Sequence, residues 1–390
     1  MTLAGNVYKL YLIKIAKWFM LIMPIIVLFY KENGLTNYDV MLLQAIYSVS
    51  VVALEIPSGY FADVWGRKNT IIFGSILGVA GFAMYSFSHG FYGFLIAEMI
   101  LGIGQSFISG SDSALLYDSL VELDRKDDYV KLEGRTLSIG NFAETIAAFA
   151  GGALAEISLR TPFIAQTFIA LIAVPSAILL IEPQRKTIVK ASIKNILSIV
   201  HLSLVKHKGL RLNIIYSGIV GSATLSMAWL IQIYLKEVLF LSEWNIGIVW
   251  GILNLIVGLT SILAYKIEKK LNIGVILFGI ALLVSFGFLS LGYTSTYLAF
   301  VFMLIFYFAR GIATPVLKDY INRLTDSDIR ATVLSVRNAV IRIIFASVIP
   351  LYGWYADAYS ISQAFIFAGS IYLVSTLIIS FFIVLYYRKN

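Results

Sequence analysis

The 390-residue chain has no cysteine, so disulfides, thiolate nucleophiles and Cys-ligated metal sites are excluded. Its three histidines (His89, His201 and His207) are scattered and offer no metal-ligand spacing. No glycine-rich phosphate loop is present, so direct hydrolysis of ATP is not expected. Charge is also scarce. Asp, Glu, Lys and Arg make up 13% of the chain, against about 25% in soluble domains. What fills the space is apolar: 59% of residues are hydrophobic and the mean hydropathy is +0.86. Such a chain could not cover its own surface with water-loving groups. Disordered, disulfide-framework and nucleic-acid-binding readings fall, and an integral membrane protein remains.

A bilayer core about 30 Å thick takes roughly 20 apolar residues per helix. On that scale the sequence predicts spans at 8–30, 39–62, 70–88, 91–116, 135–157 and 161–182. After a polar interval follow 210–235, 245–265, 273–293, 297–317, 330–353 and 361–387. These runs are twice the length of a ~10-residue barrel strand and do not alternate. The expectation is an all-α membrane protein of twelve transmembrane helices in two pseudo-symmetric six-helix bundles, 1–182 and 210–390. Between them, 183–209 is expected to be a cytoplasmic linker. It opens with Pro183-Gln184-Arg185-Lys186, and its Ile193, Ile196, Leu197, Val200 and Leu204 recur at helical spacing, as in an amphipathic helix lying on the membrane.

Cations set the orientation. Of 30 Lys and Arg, three (Lys31, Arg160, Lys236) fall on one side and five (Lys14, Lys17, Arg310, Arg337, Arg342) lie more than two residues inside a span; the remaining 22 lie on the side of both termini. Short positively charged loops stay in the cytoplasm, so both termini are expected inside a cell membrane crossed many times. No removable signal peptide is expected, because the first apolar run carries Lys14 and Lys17 and no small-residue cleavage pattern follows it.

The halves repeat. Leu116-Tyr117-Asp118 matches Leu317-Lys318-Asp319 at a displacement of 201 residues, and Leu137-Ser138-Ile139-Gly140-Asn141 matches Leu334-Ser335-Val336-Arg337-Asn338 at 197. Paired repeats are a construction of many secondary transporters, with the substrate site at the repeat interface.

Between the second and third spans stands Gly59-Tyr60-Phe61-Ala62-Asp63-Val64-Trp65-Gly66-Arg67-Lys68. It resembles the signature loop of the major facilitator superfamily, G-x-x-x-D-x-x-G-R-K/R, at all five fixed positions. The resemblance implies a secondary transporter whose loop latches the two halves while the cavity faces outward. The residue types suit that task. Gly59 is expected to permit close helix approach and Gly66 a tight turn. Asp63 suits a helix N-terminus, where negative charge is favoured. Arg67 is expected to bridge to Asp118, and Lys68 adds a second cation. Two departures count against a drug/proton antiporter subgroup. Glu98 replaces the arginine expected before Gly102-Ile103-Gly104, and Ala147-Ala148 replace the Gly-Pro expected before Gly151-Gly152. The corresponding loop of the second half, Lys266-Ile267-Glu268-Lys269-Lys270, is degenerate.

Four carboxylates (Glu55, Glu98, Asp112, Glu144) and the five cations named above lie more than two residues inside the predicted spans. An ion at the centre of a lipid-facing helix costs ~2.5–3.5 kcal/mol, so nine of them facing lipid would outweigh a typical folding stability of ~5–15 kcal/mol. They are therefore expected inside the bundles, paired, or bordering a wet cavity, with Asp112 and Lys14 free to reach the interface. Glu144, Glu98 and Glu55, in that order, are the candidate proton carriers. Arg310, Arg342 and Arg337 are candidate anchors for substrate or counter-ions to the glutamates, and Trp18 and Tyr307 are candidates for an aromatic substrate pocket.

The expected function is alternating-access transport of a small solute, coupled to protons or another ion and leaning towards export of amphiphilic or drug-like compounds. Uptake or exchange of a small anionic metabolite is the alternative, and a receptor or scaffold without transport the third reading. No enzyme activity, cofactor, metal or nucleic acid is expected. The expected partners are a small-molecule substrate, the coupling ion and the lipid bilayer, and a monomer suffices because one chain carries both halves.

Overall fold

Apolar runs in a membrane must satisfy their own backbone polar groups, and helices do so within one segment. In the computed structural model, which describes residues 2–183, 193–326 and 329–389, the regular elements among the described residues are all helical. They are α1 (Asn6–Trp18), α2 (Ile26–Glu32), α3 (Asn37–Trp65), α4 (Arg67–Phe87), α5 (Gly90–Ile108), α6 (Ser111–Glu122), α7 (Tyr129–Ala155), α8 (Thr161–Leu171) and α9 (Ala173–Ile178). Then follow α10 (Ile193–His201), α11 (Lys208–Glu237), α12 (Glu243–Lys270), α13 (Ile273–Tyr293), α14 (Ala299–Arg323), α15 (Arg330–Ala358) and α16 (Ile361–Lys389).

Among the described residues, ten segments are long and apolar enough to cross a membrane. The expected first and fifth spans are not among them. The first was expected as one helix over 8–30, and it is two. Pro24 lacks an N–H and its ring opposes the carbonyl four residues back, so α1 stops at Trp18 and α2 starts at Ile26. The freed backbone is partly satisfied from outside the segment: Leu21 N–H donates to the Gln166 side-chain oxygen at 2.8 Å. The fifth is a 27-residue helix, α7, whose Arg135, Asn141 and Glu144 dilute its apolar content. The fourth was expected unbroken over 91–116. Gly110, at φ +81°, instead divides it into α5 and α6, because a left-handed residue cannot continue a right-handed helix.

The chain forms two compact units that are not simply its two halves. The first comprises Met1–Leu35, Ile46–Ala191 and Ser242–Gly251; the second comprises Thr36–Ala45, Ser192–Leu241 and Ile252–Asn390. Within the first, Val7, Leu10 and Ile13 of α1 pack on Ile71, on Leu115, Leu116 and Leu120 of α6, and on Leu132 and Leu180. A cluster of rings (Phe29, Tyr30, Tyr85, Phe94 and Phe163) fills the other end, with Phe29 and Phe163 centroids 4.0 Å apart. Edge-to-face and offset pairs of this kind add ~0.5–1.5 kcal/mol beyond area burial.

Within the second unit α11 is the most enclosed of the ten spans, with 72% of its apolar window buried. Around it Phe288 meets Phe306, Phe365 and Tyr372 at 5.3–5.8 Å. The Tyr372 hydroxyl shares hydrogen bonds with Ser222 (3.2 Å) and Ser226 (2.9 Å) of α11. Gln184, Arg185 and Lys186 of the expected linker lie outside the described residues. From Ile193 the amphipathic segment forms α10, and Ile199 and Leu204 pack on Leu210, Ile214, Ile321 and Val333.

Candidate functional site

The signature loop is built as a helix end, one tight turn and a helix start. α3 runs through Gly59 to Trp65, Gly66 turns the chain at φ +95°, and α4 begins at Arg67. A side chain at that φ is strained by ~1–2 kcal/mol, which accounts for Gly66. Gly59 is different. Close helix approach was expected there, yet nothing lies within 4 Å of where its Cβ would stand. The Asp63 side chain is outside the described residues.

Arg67 pairs with Asp118 on α6 and also donates to the Ala114 carbonyl. The expected partner is thus the one observed. A second carboxylate, not anticipated, organises the same turn. Glu182 accepts the backbone N–H groups of Arg67 (2.9 Å) and Lys68 (2.6 Å). It thereby caps α4, whose first N–H groups have no partners within the helix. A carboxylate just before Pro183 was the available signal, but its partner lies 115 residues away. Glu182→Ala is expected to lower stability by about 0.5–2 kcal/mol, the worth of a lost cap, read as a drop in the thermal unfolding midpoint in detergent.

The second half has an ion cluster at repeat-related positions, with two of the three charges exchanged. Glu268 stands 201 residues after Arg67, Asp319 stands 201 after Asp118, and Arg323 stands 201 after Glu122. Arg323 bridges Glu268 at 2.9 Å and Asp319 at 2.6 Å. The loop that reads as degenerate therefore keeps an ion cluster, carried by a cation from the neighbouring helix. Arg323→Glu would place three carboxylates together and is expected to cost about 1 kcal/mol. Adding Glu268→Arg recreates the first-half order of charges and should restore the unfolding midpoint.

Of the candidate proton carriers, Glu98 on α5 is the most enclosed, at 4% exposure. The Tyr30 hydroxyl donates to Glu98 Oε1 at 2.7 Å, and Tyr30 and Tyr85 share a short hydroxyl–hydroxyl bond. Next to this group, Arg160 donates to the carbonyls of Ser86 (2.8 Å) and Ser88 (3.2 Å) and to Asn33 Oδ1 (3.0 Å), and lies 4.9 Å from the Phe29 ring. Sequence reasoning singled out Glu98 but missed Tyr30, Tyr85 and Arg160. Their partners are 55 to 127 residues distant along the chain, beyond the reach of any local pattern. Glu144 on α7 and Glu55 on α3 are half-buried, and Ser58 Oγ donates to the Glu55 carbonyl at 3.0 Å, one residue past Pro57.

The cations fall into place by unit. Lys14, which the sequence left free to reach the interface, is buried, its Nζ 4.9 Å from the Trp18 ring. A desolvated cation over an indole face gains from the ring quadrupole. Trp18 is half-buried and packs on Gly140 of α7. In the second unit the Arg310 guanidinium lies 5.4 Å from the ring of Tyr307, which is fully enclosed and packs on Phe306. Arg337 donates to Ser217 Oγ at 2.5 Å and to Asn338 Oδ1 at 3.2 Å. Arg342, on the same helix, is half-buried.

Residues 11–347 match the profile of the Major Facilitator Superfamily. The chain belongs to this superfamily. It is accordingly a multi-pass membrane transporter and not an enzyme. Among curated proteins it is similar to an uncharacterized MFS-type transporter, MJ1560, of Methanocaldococcus jannaschii, 24% identical over 285 residues and 71% of each chain. It is also similar to the quinolone resistance protein NorA of Staphylococcus aureus, 26% identical over 167 residues, which is 43% of this chain and 42% of NorA. Among solved structures the nucleoside transporter NupG superposes with a TM-score of 0.78 at 14% identity, covering 100% of both chains. A D-xylose-proton symporter superposes at 0.75 and 15% identity, covering 97% of this chain and 96% of that one. At such identities these superpositions speak for the superfamily fold.

Proposed function

We propose that this superfamily member is a proton-coupled secondary transporter that exports amphiphilic or drug-like compounds by alternating access. The observation that carries the reading is Glu98, an enclosed carboxyl whose oxygen is held by Tyr30 and whose neighbour is Tyr85. As a carboxylate it only accepts hydrogen bonds; as an acid it gains one donor. A change of protonation there alters the hydrogen-bond balance that the two tyrosine hydroxyls share with it. One proton moved down 100 mV releases ~2.3 kcal/mol, about 50-fold in accumulation. Glu144 and Glu55 stand as the other candidate carriers, and the partial similarity to a quinolone resistance protein supports the export reading. In this reading twelve helices form a six-plus-six arrangement in the cell membrane, both termini are cytoplasmic, and the monomer works alone.

The second reading, uptake or exchange of a small anion, rests on Arg310, Arg337 and Arg342, three cations set into α14 and α15. Purified protein in liposomes loaded with a pH-sensitive dye separates the two. Export predicts proton movement on addition of lipophilic cations. Proton movement with carboxylate or phosphate compounds alone transfers the assignment to anion transport, and movement with neither class refutes both.

A further inference from the structure

Two carboxylates outside the signature loop occupy repeat-related positions. Gly152-x-x-Ala155-Glu156 spans the end of α7, and Gly353-x-x-Ala356-Asp357 spans the end of α15, 201 residues later at all three positions. Each caps a helix from the other half of the sequence. Asp357 accepts the backbone N–H groups of Asn37 (3.0 Å) and Tyr38 (2.7 Å) at the start of α3. Glu156 accepts the N–H of Trp244 (3.0 Å) at the start of α12.

The capped ends repeat as well. Thr36 Oγ1 accepts the Asp39 N–H at 3.1 Å, while Asp39 in turn accepts the Thr36 N–H at 3.0 Å. Ser242 Oγ stands in the same relation to the Asn245 N–H, at 3.4 Å. Each local cap serves one donor of the first turn and leaves others open. Asp357 and Glu156 take those. The glycines permit the approach. A Cβ at Gly353 would stand 2.6 Å from the Asn37 carbonyl oxygen, and one at Gly152 would stand 3.0 Å from Gly247 Cα and 2.9 Å from the Glu243 carbonyl oxygen. Residues 36–45 belong to the second compact unit and residues 242–251 to the first, so each cap lies within one unit.

We propose that Glu156 and Asp357 are a pair of latches, related by the internal repeat, that tie α12 to α7 and α3 to α15 on the face opposite the Gly59–Lys68 loop, and that both release when the transporter opens to that face. Both carboxylates are solvent-exposed, so water replaces the lost hydrogen bonds and release is cheap. With the termini in the cytoplasm this face is external, and the pair complements the Arg67–Asp118 cluster on the opposite face. The inference rests on alternating access, and on no assignment of substrate, direction or coupling ion.

The cysteine-free chain suits a direct test. Spin labels are attached to cysteines introduced in the pairs Glu32→Cys with Tyr359→Cys, and Ile157→Cys with Phe240→Cys, all exposed positions. Distances are then read by double electron–electron resonance in nanodiscs without substrate or gradient. Asp357→Ala or Glu156→Ala is expected to raise the ratio of long to short distances about fivefold, and the two together about twenty-five-fold, the scale of one lost cap each. Asp357→Asn with Glu156→Gln keeps an acceptor oxygen and loses the charge, and should move the ratio in the same direction by less. Distributions that coincide with the parent in both double variants overturn the latch, even if the unfolding midpoint falls. Because no transport is measured, that result leaves the export reading standing, and a failed transport assay leaves the distance result intact.

Discussion

Glu98→Gln is expected to bring substrate-driven proton movement in liposomes down to the level of protein-free vesicles. Gln keeps a side-chain oxygen where the Tyr30 hydroxyl donates at 2.7 Å, so the ring cluster around Tyr30, Tyr85 and Phe94 has no reason to repack. What Gln lacks is the ability to take up and release a proton. The variant should therefore retain its unfolding midpoint and its quenching of tryptophan fluorescence by a lipophilic cation, while the dye signal disappears. Glu98→Asp, which titrates but is one methylene shorter, should recover part of the signal. Tyr30→Phe removes the donor and should change the pH dependence of transport rather than its maximum. If Glu98→Gln moves protons as the parent does, the coupling assignment passes to Glu144 and then Glu55, and Glu98 is a structural acid.

Gly151→Ala is expected to have the largest effect on folding. At Gly151 of α7 a methyl group would overlap the Leu21 carbonyl oxygen and lie 2.8 Å from the Leu21 carbonyl carbon. Both are main-chain atoms in the stretch between α1 and α2, which Pro24 interrupts and Gln166 holds from α8. A flexible side chain would swing away from such a methyl, but backbone cannot without moving α1 or α7 bodily. Overpacking typically costs ~1–3 kcal/mol and more where the neighbour is rigid, so a loss of about 3 kcal/mol or more is expected here. Heating followed by size-exclusion chromatography should show this as a large fall in the surviving monodisperse fraction. Gly258→Ala is the control. Nothing lies within 4 Å of its Cβ position in α12, and alanine should gain up to about 1 kcal/mol there from helix propensity.

Gly151 also shows where sequence reading stops. Gly151-Gly152 stood out only as the remnant of an antiporter signature. In the structure one glycine accommodates the broken first span and the other meets Gly247. The Arg67–Asp118 pair was legible because the loop carries a signature and Asp118 is the best-placed carboxylate on a neighbouring helix. Glu182, Glu156 and Asp357 were not. Each is a lone acid at a helix end, and nothing in a one-dimensional pattern tells an acid capping a distant helix from one that faces water. The same holds for the Glu98 surroundings: periodicity placed Glu98 in the membrane, but its partners sit on α2 and α4.

Composition and period were enough to establish a helical membrane protein, and a ten-residue loop was enough to name its superfamily. Those properties are additive along the chain, since bilayer thickness and helix rise convert run length directly into crossings. The ion pair between Glu268 and Arg323 and the two reciprocal caps belong to packing. Each depends on which helices touch, and a contact between residues 55 to 320 positions apart leaves no trace in the local pattern around either.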